Sequence, residues 1–163
     1  GNRHFSPKVT AKSITSKETG SMLGSQLIAN LRPKVSAPKK QFQDMIDKLF
    51  ADTNKKIDRK SNEIQFIQSM NNATQIITPY QLSSGEKQML VILLTVLVED
   101  KQPCILLMDE PEVSLHIEWQ QRIIEIIREM NPNAQLILTT HSPAMIMGGW
   151  MDAVTEVTDI TVV

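Results

Sequence analysis

The run Cys104-Ile105-Leu106-Leu107-Met108 is apolar without a break, has the length of a strand, and ends on two adjacent carboxylates, Asp109 and Glu110. A run with no polar alternation suits a central parallel strand covered on both faces. Pro111 allows no continuation of it. Residues 117–130 then place Ile123, Ile124, Ile126 and Ile127 on the inward face of a helix, which Asn131-Pro132-Asn133 ends. Residues 135–140 read as the next buried strand. Residues 88–99 are apolar nearly all round, and their length, with Ser83 and Ser84 as caps in front, favours a buried helix. Helix, strand, helix, strand in this order describes parallel β-α-β crossovers, so the predicted fold class is α/β, with a three-layer core built on a mainly parallel sheet.

Upstream, Phe42, Met45, Ile46, Leu49 and Phe50 make one apolar stripe of a helix over about residues 38–53. Residues 55–68 switch to strand character, with Lys60-Ser61-Asn62-Glu63 as the turn of a hairpin. Residues 70–73 read as a loop and 75–78 as a short strand that Pro79 stops. Residues 1–40 are polar and loop-like, with enough apolar residues for a short helix only at 22–31. The β-branched run at 159–163 is expected to add an edge strand. The organisation predicted is a loop-rich segment over 1–40, a helix and hairpin segment over 41–80, and the sheet-bearing part over 81–163.

With 163 residues, the chain is one domain or part of one. Its most apolar stretch, 89–98, is far short of a bilayer span, so no membrane segment is predicted. A single cysteine, Cys104, excludes an internal disulfide; a buried thiol in a reducing, cytoplasmic compartment is expected. The start, Gly1-Asn2-Arg3-His4, has no signal-peptide character and reads as a cut end. Residues 1–60 carry 13 Lys and Arg against 5 Asp and Glu, and the remainder 4 against 13. The basic part can attract DNA or an acidic partner, but with only Phe5, Phe42 and Phe50 as aromatics it offers no stacking platform and reads as a solvated lysine-rich surface.

In open parallel sheets, ligands gather at the carboxyl ends of the strands, where Asp109 and Glu110 fall. The first can hold Mg²⁺ through its water shell and the second can orient or deprotonate an attacking water. Leu82-Ser83-Ser84-Gly85-Glu86 begins the apolar helix, where N–H groups and dipole favour an anion. Gly85 would let backbone approach a phosphate. His141, just past the second strand in Leu136-Ile137-Leu138-Thr139-Thr140-His141-Ser142, can hydrogen-bond a terminal phosphate oxygen. Taken singly, each has a plain structural reading as turn, N-cap or strand-end residue. Together and in this order they point to a nucleotide machine.

Residues 81–143 resemble the C-terminal half of an ABC-type ATPase head, of the SMC, RecF and OLD group rather than of membrane transporters. The three stretches correspond to the signature motif, the Walker B strand and the switch histidine, and Val113-Ser114-Leu115-His116 to the D-loop. The resemblance implies two heads that sandwich ATP head to tail. Ser83, Ser84, Gly85 and Glu86 would serve the nucleotide of the partner head, Asp109 would bind Mg²⁺, Glu110 would activate water and His141 would sense the γ-phosphate. Ser84 stands where many members have Gly, and His116 where many have Asp. No Gly-x-x-x-x-Gly-Lys-Ser/Thr phosphate loop occurs in the sequence, so a partial domain is expected. The implied function is ATP binding and hydrolysis by a homo-oligomer, at least a dimer, controlling a DNA or effector-protein partner. Relatives of this compact kind occur in bacterial anti-phage systems such as PARIS and Septu. The alternative is an ATP-stabilised scaffold that holds an effector with little turnover.

Overall fold

The computed structural model describes residues 10–15, 37–71 and 73–160. The expected helix at 22–31 lies outside them. In chain order the elements are β1 (Thr10–Thr15), α1 (Ala37–Leu49), β2 (Lys55–Ile57), β3 (Phe66–Met70), β4 (Ala73–Ile77), α2 (Ser84–Val98), β5 (Cys104–Asp109), α3 (Ile117–Met130), β6 (Ala134–Thr139), α4 (Pro143–Ile146) and α5 (Val157–Ile160). Short 3-10 turns at Ala51–Thr53, Pro79–Gln81 and Met151–Ala153 join them.

Two three-stranded sheets form. One is parallel, in the order β1-β5-β6, with Thr15 opposite Asp109 and Asp109 opposite Thr139. The other is an antiparallel meander, β2-β3-β4. The parallel register aligns the carboxyl ends of all three strands, and the site begins there.

A single core draws on nearly every element. The α1 stripe, Phe42, Met45, Ile46 and Leu49, is buried together with Phe50 just beyond it. From the meander come Ile57, Phe66 and Ile77, from β5 Cys104, Leu106 and Met108, and from α3 the four predicted isoleucines with Met130. Between them lies α2, buried continuously from Gln88 to Val96, as its unpatterned apolar sequence requires. Arg59 reaches back from the β2–β3 connection to Asp44 and Asp47 at 2.7 Å each, while Asp47 accepts the Ile57 amide at 2.8 Å, which ties the meander to α1.

The structure corrects four expectations. The polar segment at 10–15 is a strand that pairs along the whole length of β5. The loop expected at 70–73 is the tip of a second tight hairpin, with Met70 opposite Ala73 and Asn71 at a φ of +46°. The late β-branched run is helical at Val157–Ile160, where no strand edge pairs with it and every residue is exposed; 161–163 lie outside the described residues. Finally, β5 is covered on one face only among the described residues, since Leu107 is 37% and Ile137 51% exposed on the other. An apolar strand can present two apolar faces, but a second layer must reach it for both to be buried.

Candidate functional site

The chain leaves β5 through a turn that places Glu110 in the left-handed region, φ +44°. A non-glycine residue there is under backbone strain, held in place by its surroundings. The Glu110 amide is caught by the Thr139 carbonyl at 3.1 Å, and the Val113 amide donates back to the Glu110 carbonyl at 3.3 Å. The hydroxyl of Thr139 donates to Asp109 Oδ1 at 2.5 Å, so the end of β6 orients the last carboxylate of β5.

Glu110 turns its carboxylate toward His141, with Oε1 3.2 Å from Nε2. Asp109, Glu110 and His141 are thus brought together at the ends of two adjacent parallel strands. The His141 side chain is 90% exposed, so packing does not fix its ring. The Glu112 side chain holds its backbone instead: Glu112 Oε1 accepts the His141 amide at 2.9 Å and the Thr140 hydroxyl at 2.6 Å.

The first motif opens α2. Ser83 is its N-cap: the hydroxyl accepts the Glu86 amide at 3.2 Å and Glu86 Oε2 accepts the Ser83 amide at 2.9 Å, a reciprocal capping box. Ser83 and Ser84 remain exposed. Gly85 and Glu86 are buried. At Gly85 the Ser114 carbonyl oxygen occupies the space a Cβ would need, so its missing side chain admits the 113–116 loop. Glu86 points inward, with Lys55 Nζ at 2.8 and 3.1 Å and Thr53 Oγ1 at 2.7 Å. Burial alone would raise the Glu86 pKa, but hydrogen bonds from Lys55, Thr53 and the Ser83 amide together hold it below the ordinary glutamate value.

Sequence reasoning did not single out Lys55, Glu112, Gln120 or Thr139. Gln120 Nε2 donates to the Leu115 carbonyl at 2.9 Å, and its Oε1 accepts from the Ser142 hydroxyl at 2.7 Å. Gln88 reaches from α2 to the Pro111 carbonyl at 3.3 Å, so all three motifs meet around the 111–115 turn. The repeat of Glu at 110 and 112 beside a strand end was the available signal for Glu112.

No cluster of three or more His, Cys, Asp or Glu side chains suited to a metal is formed among the described residues.

The family described as "AAA domain, putative AbiEii toxin, Type IV TA system" matches residues 16–147. The chain belongs to this AAA-domain family. Septu protein PtuA of Bacillus thuringiensis is 45% identical over 42 residues, 26% of this chain and 11% of that protein. The phosphate import ATP-binding protein PstB of Pyrococcus furiosus is 38% identical over 66 residues, 40% of this chain and 25% of that protein. A Septu protein and a phosphate import ATP-binding protein therefore both match short stretches of this AAA-domain chain. Its fold is that of the SMC head domain from Thermotoga maritima, at a TM-score of 0.56 and 15% identity over 83% of this chain and 46% of that one. The AAA-domain chain spans about a tenth of the length of PtuA. Among the described residues no helix is long and apolar enough to cross a membrane.

Proposed function

We propose that this chain is the signature-bearing half of an ATPase head that hydrolyses ATP as a head-to-tail dimer in the cytoplasm and so controls a separate partner, either an effector protein or DNA. The observation that carries the reading is the convergence of Glu110 and His141, 3.2 Å apart, beside Asp109 at the ends of β5 and β6. When bound, Mg²⁺-ATP supplies the phosphoryl group and the cation that neutralises its charge.

Asp109, with Oδ1 taken by Thr139, has Oδ2 to offer Mg²⁺, directly or through water. Glu110 orients the attacking water and accepts its proton on a carboxylate oxygen. His141 donates from its ring to a terminal phosphate oxygen, and its contact with Glu110 links the two roles. Ser83 and Ser84, exposed at the start of the 15-residue helix α2, are suited to meet the phosphates of a nucleotide held by a second head. The resemblance to PtuA supports a role in anti-phage defence.

In the complete protein, Glu110→Gln is expected to slow turnover by about 10² to 10⁴ while ATP binding persists. Unchanged turnover would remove Glu110 from its role. Binding and assembly without measurable turnover in the parent protein would favour the scaffold reading instead.

A further inference from the structure

We infer that Glu112 is a positioning residue, which holds the 140–142 loop so that the exposed ring of His141 meets the Glu110 carboxylate. The inference deepens the ATPase reading and rests on it for its kinetic consequence. Glu112 is only 8% exposed, although it lies three residues from Asp109, the exposed strand end. Its Oε1 takes both the Thr140 hydroxyl and the His141 amide. From the opposite side of the same short loop, Ser142 donates to Gln120, whose amide nitrogen lies 3.4 Å from the Glu112 carbonyl. Three consecutive residues are gripped in this way by side chains of the 112–120 stretch.

The other oxygen, Oε2, is buried with no hydrogen-bond donor among the described residues. A buried half-satisfied carboxylate disfavours the folded state. Glutamine in its place could offer the same Oε1 acceptor without burying a charge. What the carboxylate adds is strength in the two bonds it does make, since an ionised acceptor binds N–H and O–H donors about twice as strongly as a neutral one. Both of those bonds end on the His141 loop, so the benefit falls on the position of that residue. Pro111, next in the chain, is tied to α2 by Gln88, which refers the loop to the same helix whose first turn carries Ser83 and Ser84.

The test combines kinetics with a readout that needs no turnover. In the complete protein, Glu112→Ala is expected to lower kcat by about 10- to 100-fold with the KM for ATP near the parent value, as for loss of a supporting bond behind a working group. Glu112→Gln, which keeps the acceptor, should retain most of the rate. In a His141→Ala background, Glu112→Ala should cause no further loss, because the two changes disable one device. A full additional loss there, or a change confined to KM, overturns the proposal. Hydrogen exchange of the peptide containing the His141 amide should be faster in Glu112→Ala than in the parent and near parental in Glu112→Gln. Unchanged exchange in Glu112→Ala overturns the proposal whether or not the protein hydrolyses ATP; a parent without turnover overturns only the ATPase reading. Should Glu112→Ala fail to fold, Thr140→Val, which deletes the hydroxyl that donates to Glu112 and accepts the Ser142 amide, is expected to speed exchange of the His141 amide itself, resolved from that of Ser142, and its failure to do so counts equally against the proposal.

Discussion

The carbonyl oxygen of Ser114 sits where a Cβ on Gly85 would stand, so the first turn of α2 and the 113–116 loop are in direct backbone contact. Any side chain at 85 must push that loop away. The Trp119 ring also lies 3.7 Å from that Cβ position.

Gly85→Ala is therefore expected to destabilise the chain by about 1–3 kcal/mol, the usual cost of forcing a methyl into filled space. This happens although alanine is the better helix former. Urea denaturation of parent and variant measures it. A neutral or stabilising result would mean that the loop moves aside freely and that the contact is not a constraint.

Lys55 and Glu86 form an ion pair whose side chains are 11% and 3% exposed. Removing one partner leaves the other charge buried, so Lys55→Ala should cost about 3–5 kcal/mol. The pair also predicts a pH dependence. The Glu86 pKa in the folded chain lies below the unfolded value. Its contribution is thus present above the unfolded value, about pH 4.3, and is lost as pH falls through the folded value. The drop in urea midpoint between about pH 6 and about pH 3 should be larger for the parent than for Glu86→Gln. Equal drops would show that Glu86 is not held as an anion.

Thr139 connects the ends of β5 and β6 through its hydroxyl bond to Asp109. Loss of such a bond behind a metal-binding carboxylate typically weakens metal affinity by about 10- to 100-fold. Thr139→Val keeps the β-branched shape on a strand and removes only the hydroxyl. In the complete protein, the Mg²⁺ concentration needed for half-maximal turnover should rise by that factor, with the maximal rate largely retained. An unchanged Mg²⁺ requirement would detach Asp109 from the metal.

Much of this fold was legible in the sequence because the signals were local. The isoleucines of α3 repeat at helical spacing, and the β5 run is unbroken and apolar at strand length. What escaped depends on neighbours distant in the chain. Thr10–Thr15 is a strand because β5 offers it parallel hydrogen bonds, and nothing in Thr-Ala-Lys-Ser-Ile-Thr announces that. Conversely, Val157 and Ile160 favour strand, yet among the described residues no strand pairs with them and the segment is helical. The strand-end residues Asp109, Glu110 and His141 could be named because the carboxyl ends of parallel strands gather ligands. The grip of Glu112 and Gln120 on residues 140–142 joins separate elements, so only the folded chain reveals it. Glu86 belongs to the same motif as Ser83 and Ser84, and its partner Lys55, which lies on β2 and draws it inward, could not be read from that motif.

The left-handed backbone at Glu110 makes a last prediction that separates stability from activity. A glycine at a positive φ avoids the strain that any L side chain meets there, which amounts to roughly 1–3 kcal/mol at a strained site. Glu110→Gly should therefore be more stable than Glu110→Ala by about that amount, although glycine is usually the more destabilising choice. The comparison with alanine removes the carboxylate and its His141 contact equally from both variants, so the difference reports the backbone alone. Thermal or urea unfolding gives the ranking, and neither variant should turn over ATP in the complete protein. If alanine proved the equal of glycine, the strain would be absent; if both were more stable than the parent yet inactive, position 110 would be a site where stability is given up to hold a carboxylate in place.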